Sequence, residues 1–140
     1  MGGPVSTQYL LDTSILVELL RGRADHLLPR LDAERTALGV SAITVMELDY
    51  GVERSTRRED IRRDVDQLLA LLPVRPYDRA AAHRTAQLRH TLARQGLAIG
   101  PFDSLIAGHA ISLGLTVVTQ NLREFARVPG LTSEDWLAAP

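Results

Sequence analysis

The chain has 140 residues, a formal net charge of −1 and no cysteine. This length is sufficient to bury a hydrophobic core, and the lack of cysteine excludes disulfide bonds, thiol catalysis and cysteine-ligated zinc. No apolar run has membrane-spanning length and no signal-peptide pattern is present, so we expect one cytoplasmic domain over residues 1–140 that does not enter a membrane.

In the first half of the chain, short apolar runs alternate with stretches of helical periodicity. Residues 8–11 are predicted to form a short buried strand, and the apolar residues that follow recur at helical spacing until Gly22. A second short helix is predicted over residues 27–31. Residues 37–40 form the next predicted strand, and residues 41–52 pass into a further helix.

The middle of the chain contains two helical patterns separated by prolines. Residues 57–72 predict a charged amphipathic helix with a solvated face. Residues 73–77 predict a third strand or an extended connector. Asp78 is expected to cap a long helix that ends at Gly96.

The last third of the chain repeats the alternation of helix and strand. Pro101 suits the first position of a strongly apolar helix that ends at Gly114, and residues 115–119 predict a buried parallel strand. Residues 132–140 are expected to pack across the sheet edge or against a partner. The whole pattern predicts an α/β fold, a three-layer domain with a mainly parallel central sheet flanked by helices.

Acidic residues recur where the predicted strands pass into helices. In chain order, the polar residues at these junctions are Asp12, Glu47, Asp103, Asn121 and Glu124. In a parallel sheet such junctions lie at the carboxyl ends of the strands, where ligand sites gather. We therefore expect these side chains to meet at one edge of the sheet.

Each acid also has a purely structural explanation. Asp12 or Ser14 could cap the first helix, and Thr44 with Glu47 matches a capping box. Asp103, in the first turn of its helix, would interact favourably with the helix dipole. Capping alone, however, does not explain why each strand-to-helix junction carries an acid, and the joint pattern favours a site.

Carboxylates gathered within a few Å repel one another, take up protons or bind a cation. Because the chain offers oxygen ligands, Mg²⁺ or Mn²⁺ is the expected cation, and such a site supports metal-assisted hydrolysis of a phosphodiester. The predicted metal ligands and catalytic residues are Asp12, Glu47 and Asp103. Three hydroxyl groups lie next to these acids in sequence or at the end of the last strand, those of Thr13, Ser14 and Thr119. We expect them either to donate to the carboxylates or to phosphate, or else to act as ordinary helix caps and strand packing.

Four segments, in this order, resemble the motifs of the PIN domain. They are Leu11-Asp12-Thr13-Ser14, residues 41–48, Gly100-Pro101-Phe102-Asp103, and Val118-Thr119-Gln120-Asn121 with Glu124 and Phe125. Their order and spacing resemble the VapC-type ribonuclease toxins of bacterial toxin–antitoxin pairs. The resemblance covers essentially the whole chain.

The resemblance implies a PIN fold and Mg²⁺- or Mn²⁺-dependent endonucleolytic cleavage of RNA, with transfer RNA near the anticodon as one candidate substrate. It also implies a homodimer and inhibition by a VapB-type antitoxin. One position departs from the family pattern. Where many members have an Asp after the last strand, this chain has Asn121, so the fourth acid is either absent or supplied by Glu124.

Three other functions were compared with the sequence. A response-regulator receiver domain needs a lysine beside its phosphorylated aspartate, and this chain has no lysine. A phosphatase of the haloacid-dehalogenase type needs a second aspartate two positions after the first, where this chain has Ser14. A non-catalytic PIN-like module that binds RNA or protein stays open as the alternative.

Overall fold

The computed structural model describes residues 7–138, in which five strands form one sheet. The strands are β1 (Tyr9–Leu11), β2 (Leu38–Ser41), β3 (Val74–Arg75), β4 (Thr116–Val118) and β5 (Ser133–Glu134). They lie in the order β3-β2-β1-β4-β5, and all neighbouring strands are parallel. Parallel pairing requires crossover connections, which the intervening helices provide.

Seven α-helices connect the strands in the described residues. They are α1 (Thr13–Leu20), α2 (Leu28–Ala33), α3 (Ala42–Arg54), α4 (Arg58–Leu69), α5 (Arg79–Arg94), α6 (Pro101–Leu113) and α7 (Leu122–Phe125). Two short 3-10 helices, Asp25–Leu27 and Arg35–Ala37, flank α2. Among residues 7–138, no helix is both long and apolar enough to cross a lipid bilayer.

Successive residues of the central strands point to opposite faces of the sheet, and each face has its own core. Leu11 and Val118 pack with α1, α3 and α4, whereas Leu10 and Val117 pack with α5, α6 and α7. All four side chains are at most 1% exposed. Burial on both faces explains why these strands are continuously apolar, and it confirms the predicted three-layer α/β arrangement.

The predicted helix boundaries around the long α5 and α6 are also confirmed. The Asp78 carboxylate accepts a hydrogen bond from the Ala81 N–H at 3.0 Å and caps α5. Pro101 is the first residue of α6, and Gly114 ends this helix with φ +68°. The third strand has only two residues because Pro73 and Pro76 lie on either side of it and lack the N–H group that a ladder needs.

The C-terminal segment forms one edge of the sheet, as expected from the sequence, up to residue 138. Trp136 is 5% exposed and packs edge-on against Tyr9, with 5.0 Å between the ring centroids. The Arg30 guanidinium carbon lies 3.9 Å from the centroid of the Trp136 ring. The final part of the predicted segment, residues 139–140, lies outside the described residues.

Candidate active site

Asp12 lies directly after the central strand β1 and is 2% exposed. Its backbone N–H donates to the Val118 carbonyl at 2.8 Å, so the residue remains tied to β4. The hydroxyls of Ser14 and Thr119 donate to Asp12 Oδ2 at 2.8 and 2.9 Å. Two hydroxyls thus orient this carboxylate at the carboxyl edge of the sheet, as the sequence predicts.

The environment of Asp12 opposes its ionisation. Burial raises the pKa of this carboxyl group above its ordinary value, and the hydrogen bonds from Ser14 and Thr119 only partly counteract this rise. Asp12 occupies the N-cap position of α1, yet its side chain makes no capping hydrogen bond of good geometry within residues 7–138. The backbone N–H groups of Thr13 and Ser14 nevertheless favour the ionised form of this carboxylate, so a position at the helix start and a place in the site are compatible for this acid.

Glu47 projects from α3 towards the start of α1. Thr13 Oγ1 donates to Glu47 Oε1 at 2.7 Å, and the same hydroxyl lies 3.0 Å from Thr44 Oγ1. The cap of α3 is Ser41, whose Oγ accepts from the Ile43 N–H at 3.0 Å, so the capping box of Thr44 and Glu47 is wrong. Burial raises the pKa of Glu47, and the charge of Asp12 raises it further.

Asp103, Asn121 and Glu124 form a third group, at the start of α6 and after β4. Asn121 Nδ2 donates to Asp103 Oδ2 and to Glu124 Oε2, both at 2.9 Å. Both neighbours accept hydrogen bonds, so the amide turns its N–H groups towards them.

The two carboxyl groups of this third group affect each other's pKa in opposite directions. Burial raises the pKa of Asp103 to about 7, with further contributions from the hydrogen bond to Glu124 and the charge of Asp12. The same hydrogen bond from Asp103 lowers the pKa of Glu124. Of the two acids, Asp103 is therefore the one whose ionisation the site opposes.

A chain of hydrogen bonds connects all the predicted site residues. Thr119 Oγ1 accepts from the Asn121 N–H at 2.8 Å, which links the Asp12 group to the Asp103 group. Thr13 and Ser14, adjacent in sequence, link the Asp12 group to Glu47. The structure therefore brings the following residues to one edge of the sheet: Asp12, Thr13, Ser14, Glu47, Asp103, Thr119, Asn121 and Glu124.

The chemistry of this donor set fits a hard divalent cation. Asp12, Glu47 and Asp103 are oxygen ligands whose pKa values are raised by burial, and the charge of Asp12 raises those of the other two further. Within the described part of the chain, no three acidic or histidine side chains converge closely enough to bind an ion unaided. Mg²⁺, however, usually keeps several waters and takes one or two carboxylates from the protein. The ligand set of Asp12, Glu47 and Asp103 stays a prediction.

Two further residues at the site escaped the sequence interpretation. Ser41 Oγ lies 2.8 Å from Nδ1 of His109, which is 1% exposed, so the cap of α3 contacts α6. This contact joins the two helices that carry Glu47 and Asp103. A Cβ on Gly100 would lie 3.6 Å from Asp103 Oδ2. No local sequence pattern signals the contact between Ser41 and His109, because it spans 68 positions.

Comparisons with known proteins agree with this architecture. Residues 9–131 match the family model of the PIN domain. The tRNA(fMet)-specific endonuclease VapC of Salmonella typhimurium is 43% identical over 129 residues, which cover 92% of this chain and 98% of that protein. Ribonuclease VapC2 of Rickettsia felis is 35% identical over 130 residues, covering 91% of this chain and 97% of the relative. A chain in the crystal structure of DNA-bound VapBC from Salmonella typhimurium superimposes with a TM-score of 0.90 at 42% identity, covering 93% of this chain and 98% of that one.

Proposed function

Since the chain belongs to the PIN-domain family and to its VapC-type ribonucleases, we propose that it is a toxin that hydrolyses phosphodiester bonds in RNA with Mg²⁺ or Mn²⁺. The observation that supports metal dependence is the group of buried acids centred on Asp12, whose charge raises the pKa of both Glu47 and Asp103. Transfer RNA is the proposed substrate, because a relative at 43% identity is named for cleaving tRNA(fMet).

The residues of this chain divide the work of the site. Ser14 and Thr119 fix the Asp12 carboxylate, and Thr13 fixes that of Glu47. A divalent cation bound there supplies a Lewis acid, which makes a water more acidic for attack on phosphorus and stabilises the leaving oxygen. Because the hydroxyls already hold two carboxylates in place, little reorganisation is needed when substrate and cation bind.

The proposed partner is a VapB-type antitoxin, and an apolar groove beside the site suits it. This leucine groove, of about 650 Å³, is bounded by α1, α2 and α4, and Leu11, the residue before Asp12, contributes to its lining. Leu28 and Leu71 on its rim are 52% and 68% exposed. Exposed apolar patches of this kind mark interaction sites. Solved structures similar to this chain are VapBC complexes, which supports an antitoxin as the occupant.

The family also supports a homodimer that acts in the cytoplasm, where its RNA substrate is found. We include both in the proposal. The alternative, a non-catalytic PIN-like binding module, expects no cleavage of any RNA in the presence of Mg²⁺. A single cleavage assay separates the two functions.

The test is cleavage of a transfer RNA transcript by Asp12→Asn and Asp103→Asn. Each variant removes a negative charge from the cation site, and we expect more than about a 100-fold loss of Mg²⁺-dependent cleavage. Each variant should still unfold cooperatively on heating, since an amide can replace the carboxyl group in hydrogen bonding. Asp60→Asn, an exposed change on α4, is the matched control and should cleave like the wild type.

Two results would contradict the proposal. Wild-type protein that leaves every tested RNA intact with Mg²⁺ and with Mn²⁺ would favour the binding module. Full cleavage by either active-site variant would remove that acid from the cation site.

A further inference from the structure

A cleft of about 850 Å³ opens beside the acidic site. Two residues of the site, Thr13 and Glu47, contribute to its lining, so the cleft is continuous with the carboxylates. The rest of its wall comes from the end of α1, the outer face of α3, the start of α4 and the first turn of α6. A cleft of this volume is large enough for a small ligand such as one or two nucleotides.

Two aromatic side chains of the cleft are exposed next to the acids. Tyr50 is 61% exposed and Phe102 is 45% exposed. Tyr50 follows Glu47 by three residues on α3, which places both side chains on the same face of that helix. Phe102 immediately precedes Asp103 in α6. Exposed aromatic faces of this kind are the surfaces on which unpaired bases stack.

Two arginines line the same cleft and give it the charge that phosphate requires. The Arg54 guanidinium carbon lies 5.0 Å from the centroid of the Tyr50 ring, one helical turn away. Arg54 makes no ion pair with any residue in positions 7–138. Arg21, at the end of α1, is 58% exposed, and its nearest contact with the Glu18 carboxylate is long, at 3.9 Å. A guanidinium presents a flat fork of donors that matches a phosphate and can also stack on a base.

We propose that this cleft, which we call the stacking cleft, binds unpaired nucleotides of the RNA on one side of the scissile phosphate. Tyr50 and Phe102 stack on the bases, while Arg21 and Arg54 contact the backbone. The inference rests on the proposed ribonuclease function and adds to it a requirement that the substrate be single-stranded at this point. Bases within a duplex are already stacked on each other, so only an unpaired segment can use both rings.

RNA is favoured over a protein as the occupant because the cleft leads directly to the acids. The cleft shares Thr13 and Glu47 with the acidic site, whereas the leucine groove offers an apolar surface without exposed aromatic rings. The basic residues of the stacking cleft also lie beside an otherwise acidic site. The two arginines can offset the repulsion between the acids and phosphate only if the RNA strand extends from the acids into the cleft.

The experiment measures binding without cleavage. A short fluorescein-labelled single-stranded oligoribonucleotide is titrated with the full-length protein in EDTA, and fluorescence anisotropy gives its Kd. We expect Tyr50→Ala and Phe102→Ala each to weaken binding about tenfold, as loss of one stacked base does. Tyr50→Phe should bind like the wild type because the ring remains. Leu97→Ala, at an exposed apolar position outside both cavities, is the matched control and should also bind like the wild type.

A second measurement reports the phosphate contacts. Arg54→Gln should reduce the slope of log Kd against log salt concentration by about 0.7, the value for one contact to a single strand. A duplex RNA of the same sequence should bind equally to the wild type and to Tyr50→Ala. If Tyr50→Ala binds the duplex more weakly than the wild type does, the requirement for unpaired bases is wrong.

Unchanged Kd values in both aromatic variants would overturn the proposal. So would a change in oligomeric state of Tyr50→Ala, measured by sedimentation velocity, because it would assign this face to a second copy of the chain.

The proposed nuclease activity is tested separately. If the aromatic variants lose affinity but the wild type cleaves nothing with Mg²⁺, the stacking cleft stands and the nuclease proposal fails. If the wild type cleaves RNA and the aromatic variants bind normally, only the cleft is wrong.

Discussion

Among single residues, Asp103 makes the stability of the fold depend on pH. Its pKa is raised from an ordinary value of 3.8 to about 7, chiefly by burial and then by the hydrogen bond to Glu124. Between these two pH values the folded chain keeps a proton that the unfolded chain has released. Stability from this group is therefore complete below about pH 4 and is lost as the pH rises through about 7. Burial of Asp12 and Glu47 acts in the same direction.

The first prediction in solution concerns this pH dependence. In EDTA, the melting temperature of the wild type should fall as the pH is raised from 5 to 8 and then level off. In Asp103→Asn the fall should be smaller, because the amide at position 103 donates to Glu124 at every pH. Differential scanning calorimetry across this range checks both expectations. Asp60→Asn should keep the wild-type profile, and an identical fall in Asp103→Asn would contradict the assignment.

Mg²⁺ provides the complementary test at pH 8. If the acids bind the cation, millimolar Mg²⁺ should raise the melting temperature of the wild type by mass action, since the unfolded chain offers no assembled site. The same addition should raise the melting temperature of Asp103→Asn less. An equal rise in both proteins would point to binding elsewhere.

At the scale of helices and strands, the contact between α5 and α6 fixes the helix that carries Asp103. A Cβ on Gly108 of α6 would lie 1.9 Å from Thr85 Oγ1 and 2.7 Å from Thr85 Cα, on the facing α5. Thr85 cannot rotate away freely, because its hydroxyl donates to the Ala81 carbonyl at 2.9 Å and accepts from Tyr77 Oη at 2.8 Å. The two helices can be this close only while position 108 has no side chain.

Gly108→Ala should therefore destabilise the protein by about 3 kcal/mol, as overpacking against backbone atoms does. Urea unfolding at a fixed pH gives this difference as a shift of the midpoint. The control is Gly51→Ala in α3, where an added Cβ meets no atom within 4 Å of the described chain. It should stabilise by about 0.5 to 1 kcal/mol through helix propensity. A wild-type midpoint in Gly108→Ala would show that the helices separate without cost.

For the molecule as a whole, the proposed antitoxin surface and the proposed active site occupy different places, the leucine groove and the acidic edge of the sheet. Leu71 is 68% exposed, so Leu71→Glu should leave folding and RNA cleavage unchanged. A charge in the groove would, however, weaken an apolar contact with the antitoxin. Expression of the wild-type chain alone should arrest growth, and the product of the adjacent upstream reading frame should restore it. The same product should fail to rescue cells that express Leu71→Glu.

Leu97→Glu is the matched control, since Leu97 is 40% exposed but lies outside the groove. Cells that express it should be rescued like the wild type. Full rescue of Leu71→Glu would place the antitoxin on another surface.

Much of the fold was predictable because the signals that specify it are local. The Asp78 cap, Pro101 and Gly114 mark helix ends within a few residues, and the apolar runs around Leu10 and Val117 mark buried strands. The three-layer arrangement and the PIN fold are confirmed. The strand β5 was not predicted as such, because Ser133–Glu134 is too short to show periodicity.

The gathering of the predicted residues at one edge of the sheet was predictable, but their contacts were less so. The junction positions identified Asp12 and Glu47, and the hydroxyl groups of Ser14 and Thr119 donate to carboxylate as predicted. The orientation of Asn121, by contrast, depends on two acceptors that α6 and α7 bring together. No local pattern encodes such a contact.

The order of the strands has a further consequence for the timing of activity during synthesis. The central strand β1 is made first, yet one of its neighbours, β4, comes from near the end of the chain. Thr119, whose hydroxyl orients Asp12, is 107 positions further along. At about 5 to 20 residues per second, a ribosome needs about 5 to 20 s to make that interval. A new copy of the chain therefore cannot hold Asp12 in its folded orientation until the ribosome has passed Thr119 and β4 has joined the sheet.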